Sequence, residues 1–277
     1  MDERLQALLL SKAATPETLS RAMRYAVLNG GKRFRPLLCL GAAEAVGSTA
    51  ERALDAACAL EMVHCFSLIH DDLPALDNDD LRRGKPTCHV AFGEAIALLA
   101  GDALFALAFE TLGGMDAPES ARFRAMRALA AGTSGMVGGQ TLDVECEDKP
   151  VEVDTVRWIH SRKTGALIAA SCEIGALVGG GPDEQVEACR KCGEKIGLAF
   201  QITDDVLNEE GDAASLGKRT QTDRQRKKAT FPGVVGLAES KRVACEAAEA
   251  AVSELEAFGD CASGLRLLAR FAAERSL

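Results

Sequence analysis

The sequence is poor in aromatic residues, which make up 4% of its 277 residues and include a single Trp and a single Tyr. Hydrophobic residues still reach 47%, and Ala and Leu recur throughout. Small and unbranched side chains suit packed helices, whereas sheets favour aromatic and β-branched residues. The chain also lacks any sustained alternation of apolar and polar residues and any repeat of fixed period. These absences favour an all-α protein.

Long uncharged apolar runs are also missing, since none reaches about 18 residues, the length of a membrane-spanning helix. The N-terminus is acidic and lacks the basic and apolar regions of a secretion signal. We therefore expect a cytoplasmic protein without a membrane span. The net charge of −9 repels nucleic acid, so nucleic acid is not an expected partner. Phosphate groups would have to be recognised by local clusters of Lys and Arg.

The ten cysteines are scattered, and only Cys189 and Cys192 have the CxxC spacing of a zinc site. Because a zinc site would need a second pair, we expect none here. Most of the cysteines lie in apolar stretches of helical period, where a thiol behaves as a small hydrophobic group. The sequence therefore predicts reduced thiols, buried or at the surface.

Helix signals follow one another along the chain, and no Gly- or Ser-rich linker divides it. We predict one large helical domain over residues 1–277. An apolar stretch at 91–112 is expected to be interrupted at Gly101-Asp102, and Ser48 with Glu51 has the pattern of a capping box. The main helices are predicted at 15–29, 36–47, 48–73, 116–136, 154–178, 184–208, 233–257 and 262–275. The one long connection, 209–232, is rich in Gly and basic residues, as many binding loops are.

The densest chemical signal is an acidic segment with five aspartates within ten residues: Asp71, Asp72, Asp77, Asp79 and Asp80. It directly follows an apolar helical stretch, and carboxylates gathered at the end of a buried helix need cations such as Mg²⁺. On an unbroken helix, Asp71 and Asp77 would point to different sides. Pro74 supplies a break that could return Asp77 to Asp71. Taken alone, the segment could also be a solvated helix exit.

A second acidic pattern lies far downstream, in Gln201, Asp204, Asp205 and Asn208. The spacing of these residues places them on one face of a helix whose other sides are apolar. Such a polar stripe faces either water or a functional site.

Basic residues form three clusters: Gly30-Gly31-Lys32-Arg33-Phe34-Arg35-Pro36, the pair Arg82-Arg83, and His160-Ser161-Arg162-Lys163-Thr164-Gly165. The first lies at a predicted helix N-terminus, where free N–H groups also favour anions. Each cluster alone is more often a solvated surface. Acidic motifs for metal together with basic motifs for phosphate indicate a substrate that carries a diphosphate group.

In their order and spacing, these motifs, with Gly139-Gln140, resemble those of the trans-isoprenyl diphosphate synthases, and most closely the bacterial farnesyl diphosphate synthases. The resemblance extends from about Met23 to Pro232. It implies an all-α bundle of the isoprenoid synthase type around a deep central cavity, usually as a homodimer. The substrates would be isopentenyl diphosphate and an allylic diphosphate, joined head-to-tail with the help of three Mg²⁺ ions.

The same resemblance implies a role for each matching residue. Asp71, Asp77 and Asp204 would carry the metal ions, with Asp72 and Asp205 supporting them. The allylic diphosphate would be held by Arg82, Lys163, Thr164, Gln201 and Lys218. Isopentenyl diphosphate would be held by Lys32, Arg35, His64 and Arg83. The residues most directly tied to catalysis would be Asp71, Asp77, Arg82, Lys163 and Asp204.

Mg²⁺ turns the allylic diphosphate into a leaving group, and the double bond of isopentenyl diphosphate attacks the resulting cation. We expect farnesyl diphosphate (C15) as product, because Phe66 lies five residues before Asp71 and is the bulky candidate for a pocket floor beside the small Ser67. An aromatic residue holds this place in the farnesyl enzymes. Geranylgeranyl (C20) and geranyl (C10) diphosphate are the alternatives, and Phe66 could instead simply pack against a neighbouring helix.

Asn208 departs from the family pattern, which has Asp there, and so weakens the expected metal affinity. It is the only sign of another alternative, a non-catalytic partner subunit of a prenyl synthase. An HD-type phosphohydrolase would leave the Lys163-Thr164-Gly165 and Lys32–Arg35 motifs unexplained. A class I terpene cyclase would lack both the second aspartate motif and the need for a second diphosphate site.

Overall fold

The computed structural model describes residues 1–10, 15–211 and 228–275. The α-helices are α1 (Asp2–Leu10), α2 (Glu17–Leu28), α3 (Phe34–Ala45), α4 (Leu54–Asp71), α5 (Cys88–Phe92), α6 (Glu94–Gly114), α7 (Glu119–Glu145), α8 (Val153–Ile159), α9 (Ala166–Val178), α10 (Asp183–Glu210), α11 (Phe231–Val235), α12 (Leu237–Ser253) and α13 (Ser263–Glu274). Short 3₁₀ helices cover Ala50–Ala53 and Glu256–Ala262, and a π-helical turn covers His160–Gly165. Strands β1 (Leu81–Arg82) and β2 (Lys85–Pro86) pair in an antiparallel hairpin. The predicted all-α bundle is confirmed.

The core consists of two apolar clusters that share α3 and α9. One cluster joins α1, α2, α4, α6 and α7 through residues such as Leu60 and Leu104. The other joins α3, α9, α10, α12 and α13 through residues such as Ile168 and Ile196. Small side chains allow this packing, since alanine and cysteine supply many of the fully buried positions. Residues near the C-terminal ends of α4 and α10 line the same cavity, which brings both acidic motifs to one place.

Several local predictions were wrong. Helix α6 runs straight through Gly101-Asp102, because Gly101 is buried against the ring of His70 and the packing outweighs the modest helical cost of glycine. The predicted helix at 48–73 begins with a 3₁₀ turn, and no side-chain cap forms there. The predicted helix at 154–178 is divided by the π-helical turn at His160–Gly165.

Two helical stretches, Ala50–Asp71 and Glu94–Gly114, have the length and mean hydropathy of a membrane span, although each carries acidic residues. They pack against each other inside the bundle, which is the arrangement of core helices. Eight of the cysteines are buried, Cys245 and Cys261 are exposed, and all ten are free thiols.

Candidate active site

A cavity of about 1340 Å³ opens between α3, α4, α7 and α10. All the predicted site residues within the described part of the chain line it, except Asp72. Lys218 lies outside the described residues. The motifs that are far apart in sequence therefore line the same cavity.

The first acidic motif lies where α4 ends, and the chain turns back immediately afterwards. The amide of Asp77 donates a hydrogen bond to the backbone carbonyl of Asp71 over 2.8 Å. This contact closes the turn that Pro74 was predicted to allow, and it brings the two aspartates together at the cavity wall. The side chain of Asp77 accepts a hydrogen bond from Lys228 Nζ at 3.2 Å.

The electrostatics of this turn favour a cation. Burial raises the pKa of Asp71 to about 6, and the neighbouring charge of Asp77 adds to the rise, while Lys163, Arg82 and Lys228 act against it. A buried carboxyl group with a raised pKa gains when a metal ion replaces its proton.

Asp72 points away from the cavity and is held by Arg82. The guanidinium donates to both carboxylate oxygens, at 2.5 to 2.9 Å, and only 4% of the Asp72 side chain is exposed. Asp72 therefore supports the site by orienting Arg82, whose side chain also lines the cavity.

In the second motif, unlike the first, both acids line the cavity, although Asp205 is buried by its partners. Asp204 faces the cavity and forms an ion pair of 2.8 Å with Arg275. Asp205 accepts hydrogen bonds from Gln201 at 3.0 Å and from the amide of Phe231 at 2.9 Å, and His160 Nε2 lies 3.2 Å away. Burial alone would raise the pKa of Asp205, but these partners outweigh it and hold the pKa below its ordinary value.

The π-helical turn places Lys163 and Thr164 on the wall between the two motifs. Lys163 Nζ donates to Asp143 over 2.6 Å, and the Thr164 hydroxyl donates to Gln201 over 2.6 Å. The turn fits because Gly139 of α7 and Gly197 of α10 lie directly against its backbone, where a Cβ atom would collide.

A cationic pocket forms the remaining wall and contains the four residues predicted to hold the second diphosphate: Lys32, Arg35, His64 and Arg83. Arg35 is 9% exposed, and its Nε has no hydrogen-bond partner among the described residues. Burial, together with the nearby arginines, lowers the pKa of His64 well below its ordinary value. Arg83 donates to the carbonyl of Gly30, which joins the hairpin to the loop before α3. An anion is the ligand that such a pocket would stabilise.

Arg33, although part of the basic cluster, has a structural contact. Its guanidinium binds the buried Glu61 at 2.5 Å and the carbonyl of Val27 at 2.9 Å, and it also pairs with Asp2. Neighbouring cations in one motif thus have different surroundings, which sequence alone does not reveal.

The donors at the cavity mouth suit Mg²⁺, because carboxylate oxygens are the ligands it prefers. Within the described ranges, no three acidic, His or Cys side chains lie close enough to hold one ion by themselves. Asp71, Asp77 and Asp204 are the cavity-lining carboxylates of the two motifs that could hold such ions.

Sequence reasoning missed several residues of the site. Asp143, 7% exposed in its side chain, lies 2.6 Å from Lys163 and 3.7 Å from Lys228. Arg275 comes from the C-terminal end of the chain and stacks on Phe200. His160 is buried, and its Nδ1 has no partner among the described residues. Two of them carried a sequence signal. Asp143 lies three residues after Gln140 on the face of α7 that lines the cavity, and His160 begins the basic cluster that contains Lys163.

The predicted chain-length residues lie on α4 below Asp71. Phe66 and Ser67 both line the cavity. The Ser67 hydroxyl donates back to the carbonyl of His64 over 2.9 Å, so it adds no bulk to the cavity. The ring of Phe66 packs against those of His70 and Phe105.

An all-α bundle whose central cavity joins paired aspartates to a cationic pocket defines an enzyme of the isoprenoid synthase type. The model of the polyprenyl synthetase family matches residues 16–259. The chain belongs to this family, the trans-isoprenyl diphosphate synthases, and is a prenyltransferase. The family uses Mg²⁺ and prenyl diphosphate substrates.

Individual relatives align with nearly the whole chain. Geranylgeranyl pyrophosphate synthase 4 of Arabidopsis thaliana is 45% identical over 94% of this chain and 72% of its own length. The crystal structure of an FPP/GFPP synthase from Zymomonas mobilis covers 98% of this chain and 95% of its own, with a TM-score of 0.87 at 38% identity. A Helicobacter pylori geranyltransferase, solved with magnesium and isoprenyl diphosphate, covers 96% and 93%, with a TM-score of 0.83 at 32% identity. Another Arabidopsis relative, 44% identical over 94% of this chain and 73% of its own length, is named as the large subunit of a heterodimeric geranylgeranyl pyrophosphate synthase.

Proposed function

We propose that this prenyltransferase condenses isopentenyl diphosphate with dimethylallyl and then geranyl diphosphate to give farnesyl diphosphate. The observation that carries the proposal is the division of one cavity into three parts. Carboxylates line its mouth, a cationic pocket lies beside them, and Phe66 bounds it about 7.5 Å further along α4 at 1.5 Å per residue. Two diphosphates and one apolar tail match these three surfaces.

Asp71, Asp77 and Asp204 hold the metal ions in this proposal, and three Mg²⁺ per site are expected. Bound Mg²⁺ neutralises the allylic diphosphate and makes it a leaving group. Lys163 and Arg82 add positive charge at the same diphosphate, and Thr164 and Gln201 orient it by hydrogen bonds. Asp72 and Asp205 act indirectly, since Asp72 holds Arg82 and Asp205 fixes Gln201 and His160.

The cationic pocket binds isopentenyl diphosphate. Lys32 supplies positive charge from the loop before α3, Arg35 supplies it from the first turn of α3, and Arg83 supplies it from the hairpin. His64, neutral in the free protein, donates a hydrogen bond. Separate pockets hold the two substrates in the relative orientation that the reaction needs. Correct orientation accounts for a large part of the rate acceleration of an enzyme with two substrates. Lys218 is assigned to the allylic diphosphate by its motif alone.

Geranylgeranyl diphosphate (C20) is the second candidate product, and the names of the plant relatives favour it. The aromatic ring of Phe66 favours C15, because it occupies space that a longer tail would need. The deciding experiment incubates the purified chain with dimethylallyl and isopentenyl diphosphates and measures product length. A dominant C20 product would refute the C15 assignment while leaving the enzyme class intact.

The metal assignment has its own test. Asp204→Ala is expected to lower turnover at least about a thousandfold, and excess EDTA should stop the wild type, because the leaving group is no longer neutralised. Thr141→Ala is a matched control, since this exposed threonine lines the cavity and, among the described residues, its hydroxyl binds only the backbone carbonyl of Val137. Unchanged condensation by Asp204→Ala would rule out the second motif as a metal site.

We further propose that residues 1–277 form one domain and that two copies of the chain form a homodimer. The homodimer acts in the cytoplasm. The support for the dimer is a set of exposed apolar residues on α6 and α7, including Leu98, Leu99, Phe123 and Val137. A partner subunit without activity of its own is the competing hypothesis. Activity and light scattering of the purified chain alone distinguish the two.

A further inference from the structure

One arginine of the loop between α2 and α3 is hydrogen-bonded to three helices at once. Arg33 donates to the carboxylate of Glu61 in α4 at 2.5 Å and to the backbone carbonyl of Val27 in α2 at 2.9 Å. It also donates to Asp2 in α1 at 3.1 Å. The side chain of Arg33 is 12% exposed and that of Glu61 is 2% exposed. These contacts fix the loop to the helices of the first core cluster.

The backbone conformation at Arg33 is one that such a residue adopts only where its surroundings stabilise it. Its φ of 49° and ψ of 33° are left-handed, which is unfavourable for a residue with a Cβ atom. Gly30 and Gly31, which also have positive φ, form the turn before it. The carbonyl of Arg33 then accepts the first hydrogen bond of α3, from the amide of Leu37 at 2.9 Å. The position of Arg33 therefore determines where α3 begins.

Three cations of the cationic pocket depend on this loop. Lys32 belongs to the loop, and Arg35 lies in the first turn of α3. Arg83 comes from the hairpin, but it donates to the carbonyl of Gly30 and its guanidinium lies where a Cβ atom on Gly31 would be. All three cations line the cavity. A displacement of the loop would therefore move the three charges together.

We propose that Arg33 is the positioning residue of the cationic pocket and that Glu61 is its buried counter-charge. This inference rests on the proposed function, because it assumes that the pocket receives isopentenyl diphosphate. Arg33 and Glu61 both line the cavity, but each of the three guanidinium nitrogens already donates to an acceptor in the protein. Arg33 therefore holds the loop, and the three cations that the loop places bind the diphosphate.

A paired substitution separates positioning from charge. Arg33→Met with Glu61→Leu removes one positive and one negative charge, so the net charge of the pocket is unchanged. Apolar residues of similar volume commonly replace a buried ion pair without loss of stability, whereas removing one partner leaves a buried charge unpaired. A change in affinity for isopentenyl diphosphate would then report the placement of the other cations.

Binding is measured by calorimetry with isopentenyl diphosphate in EDTA, which probes the cationic pocket without metal ions. The dissociation constant of the Arg33→Met pair should rise about 10- to 100-fold, because small displacements of binding groups have effects of this size. With Mg²⁺, the KM for isopentenyl diphosphate should rise similarly, whereas kcat and the KM for the allylic substrate should change less than about threefold.

The matched control is Arg4→Met with Asp55→Asn, which removes the same two charges. Arg4 and Asp55 also join α1 to α4, through hydrogen bonds of 2.6 and 2.8 Å, and neither is among the described residues that line the cavity. The control should bind isopentenyl diphosphate within about twofold of the wild type, since an exposed ion pair contributes little. Thermal melts establish that both pairs are folded.

A single substitution serves if the Arg33→Met pair does not fold. Arg33→Lys keeps the charge beside Glu61, but an ammonium group lacks the planar fork that spans three acceptors. It should weaken binding of isopentenyl diphosphate in EDTA by about threefold or more.

Hydrogen exchange gives a second readout, which needs no substrate. The protection of the Leu37 amide should fall in the Arg33→Met pair and stay unchanged in the Arg4→Met pair. The amides of α10 should keep their protection in both, whereas a general loss of stability would lower the protection throughout the chain.

The proposal is overturned if the Arg33→Met pair binds isopentenyl diphosphate as the wild type does, or if it weakens the binding of both substrates equally. Unchanged exchange at Leu37 would also overturn it. A wild type that does not bind isopentenyl diphosphate in EDTA would refute the substrate proposed for the pocket, and the exchange at Leu37 would then decide whether Arg33 anchors the loop.

Discussion

Replacing Asp71 by asparagine preserves the shape of the side chain and removes its charge, so it tests the electrostatics of the cavity mouth. In the metal-free protein, burial raises the pKa of Asp71 from 3.8 to about 6. Each pH unit between the folded and unfolded values corresponds to about 1.4 kcal/mol. The ionised carboxylate therefore costs the fold roughly 3 kcal/mol at pH 8. Asp71→Asn should recover up to that amount.

The pH dependence has a definite sign. A raised pKa means that the folded state prefers the protonated acid, so the cost is largest above pH 6 and fades as the pH falls towards 3.8. The advantage of Asp71→Asn should fall from roughly 3 kcal/mol at pH 8 to about half that at pH 5. Unfolding entropy is about 2 cal/mol/K per residue, so the gain at pH 8 corresponds to about 5 °C in Tm.

Urea unfolding in EDTA at pH 8 and pH 5 measures the stability, and product formation with Mg²⁺ measures activity. Activity should fall at least about a thousandfold, since the proposed metal ligand is lost. Asp80→Asn, which removes an exposed charge from the same segment, is the control and should change stability by less than about 0.5 kcal/mol. The reasoning fails if Asp71→Asn is no more stable than the wild type at pH 8, or if its advantage does not shrink at pH 5.

Three other expectations concern the remaining walls of the cavity. Arg35→Gln should raise the KM for isopentenyl diphosphate about 10- to 100-fold and leave the allylic KM nearly unchanged, which steady-state kinetics with each substrate varied will check. A bound diphosphate should raise the depressed pKa of His64, so binding takes up a proton and strengthens as the pH falls from 8 to 6; calorimetry in two buffers should show that His64→Gln loses this uptake. Asn208→Asp should keep the product unchanged and tighten Mg²⁺ modestly in a metal titration. An inactive wild type that Asn208→Asp activates would instead support the partner-subunit hypothesis.

The parts of the fold that local physics determines could be predicted from the sequence. The turn between Asp71 and Asp77 follows from Pro74, and the polar face of α10 follows from the spacing of Gln201, Asp204 and Asp205. Both depend on neighbours within a few residues, so the pattern in the chain contains the information needed.

Features that depend on distant contacts could not be predicted in this way. Arg275 reaches Asp204 from the far end of the chain, and Asp143 meets Lys163 across two helices. Gly101-Asp102 was expected to interrupt an apolar stretch, yet α6 continues through it, and the ring of His70 needs the space that a glycine leaves. Tertiary packing decided these cases, and a single sequence does not show which residues will pack together.

One end of the cavity is bounded by closely packed backbone and the other end by side chains. This difference affects how such an enzyme can evolve. Under the proposed function, the diphosphate end is the one where Gly139 and Gly197 lie directly against the backbone of the π-helical turn, so almost any substitution there displaces the turn that carries Lys163. At the other end, the boundary includes exchangeable side chains such as that of Phe66. Under the same proposal, single substitutions there would change the length of the product and leave the reaction itself intact.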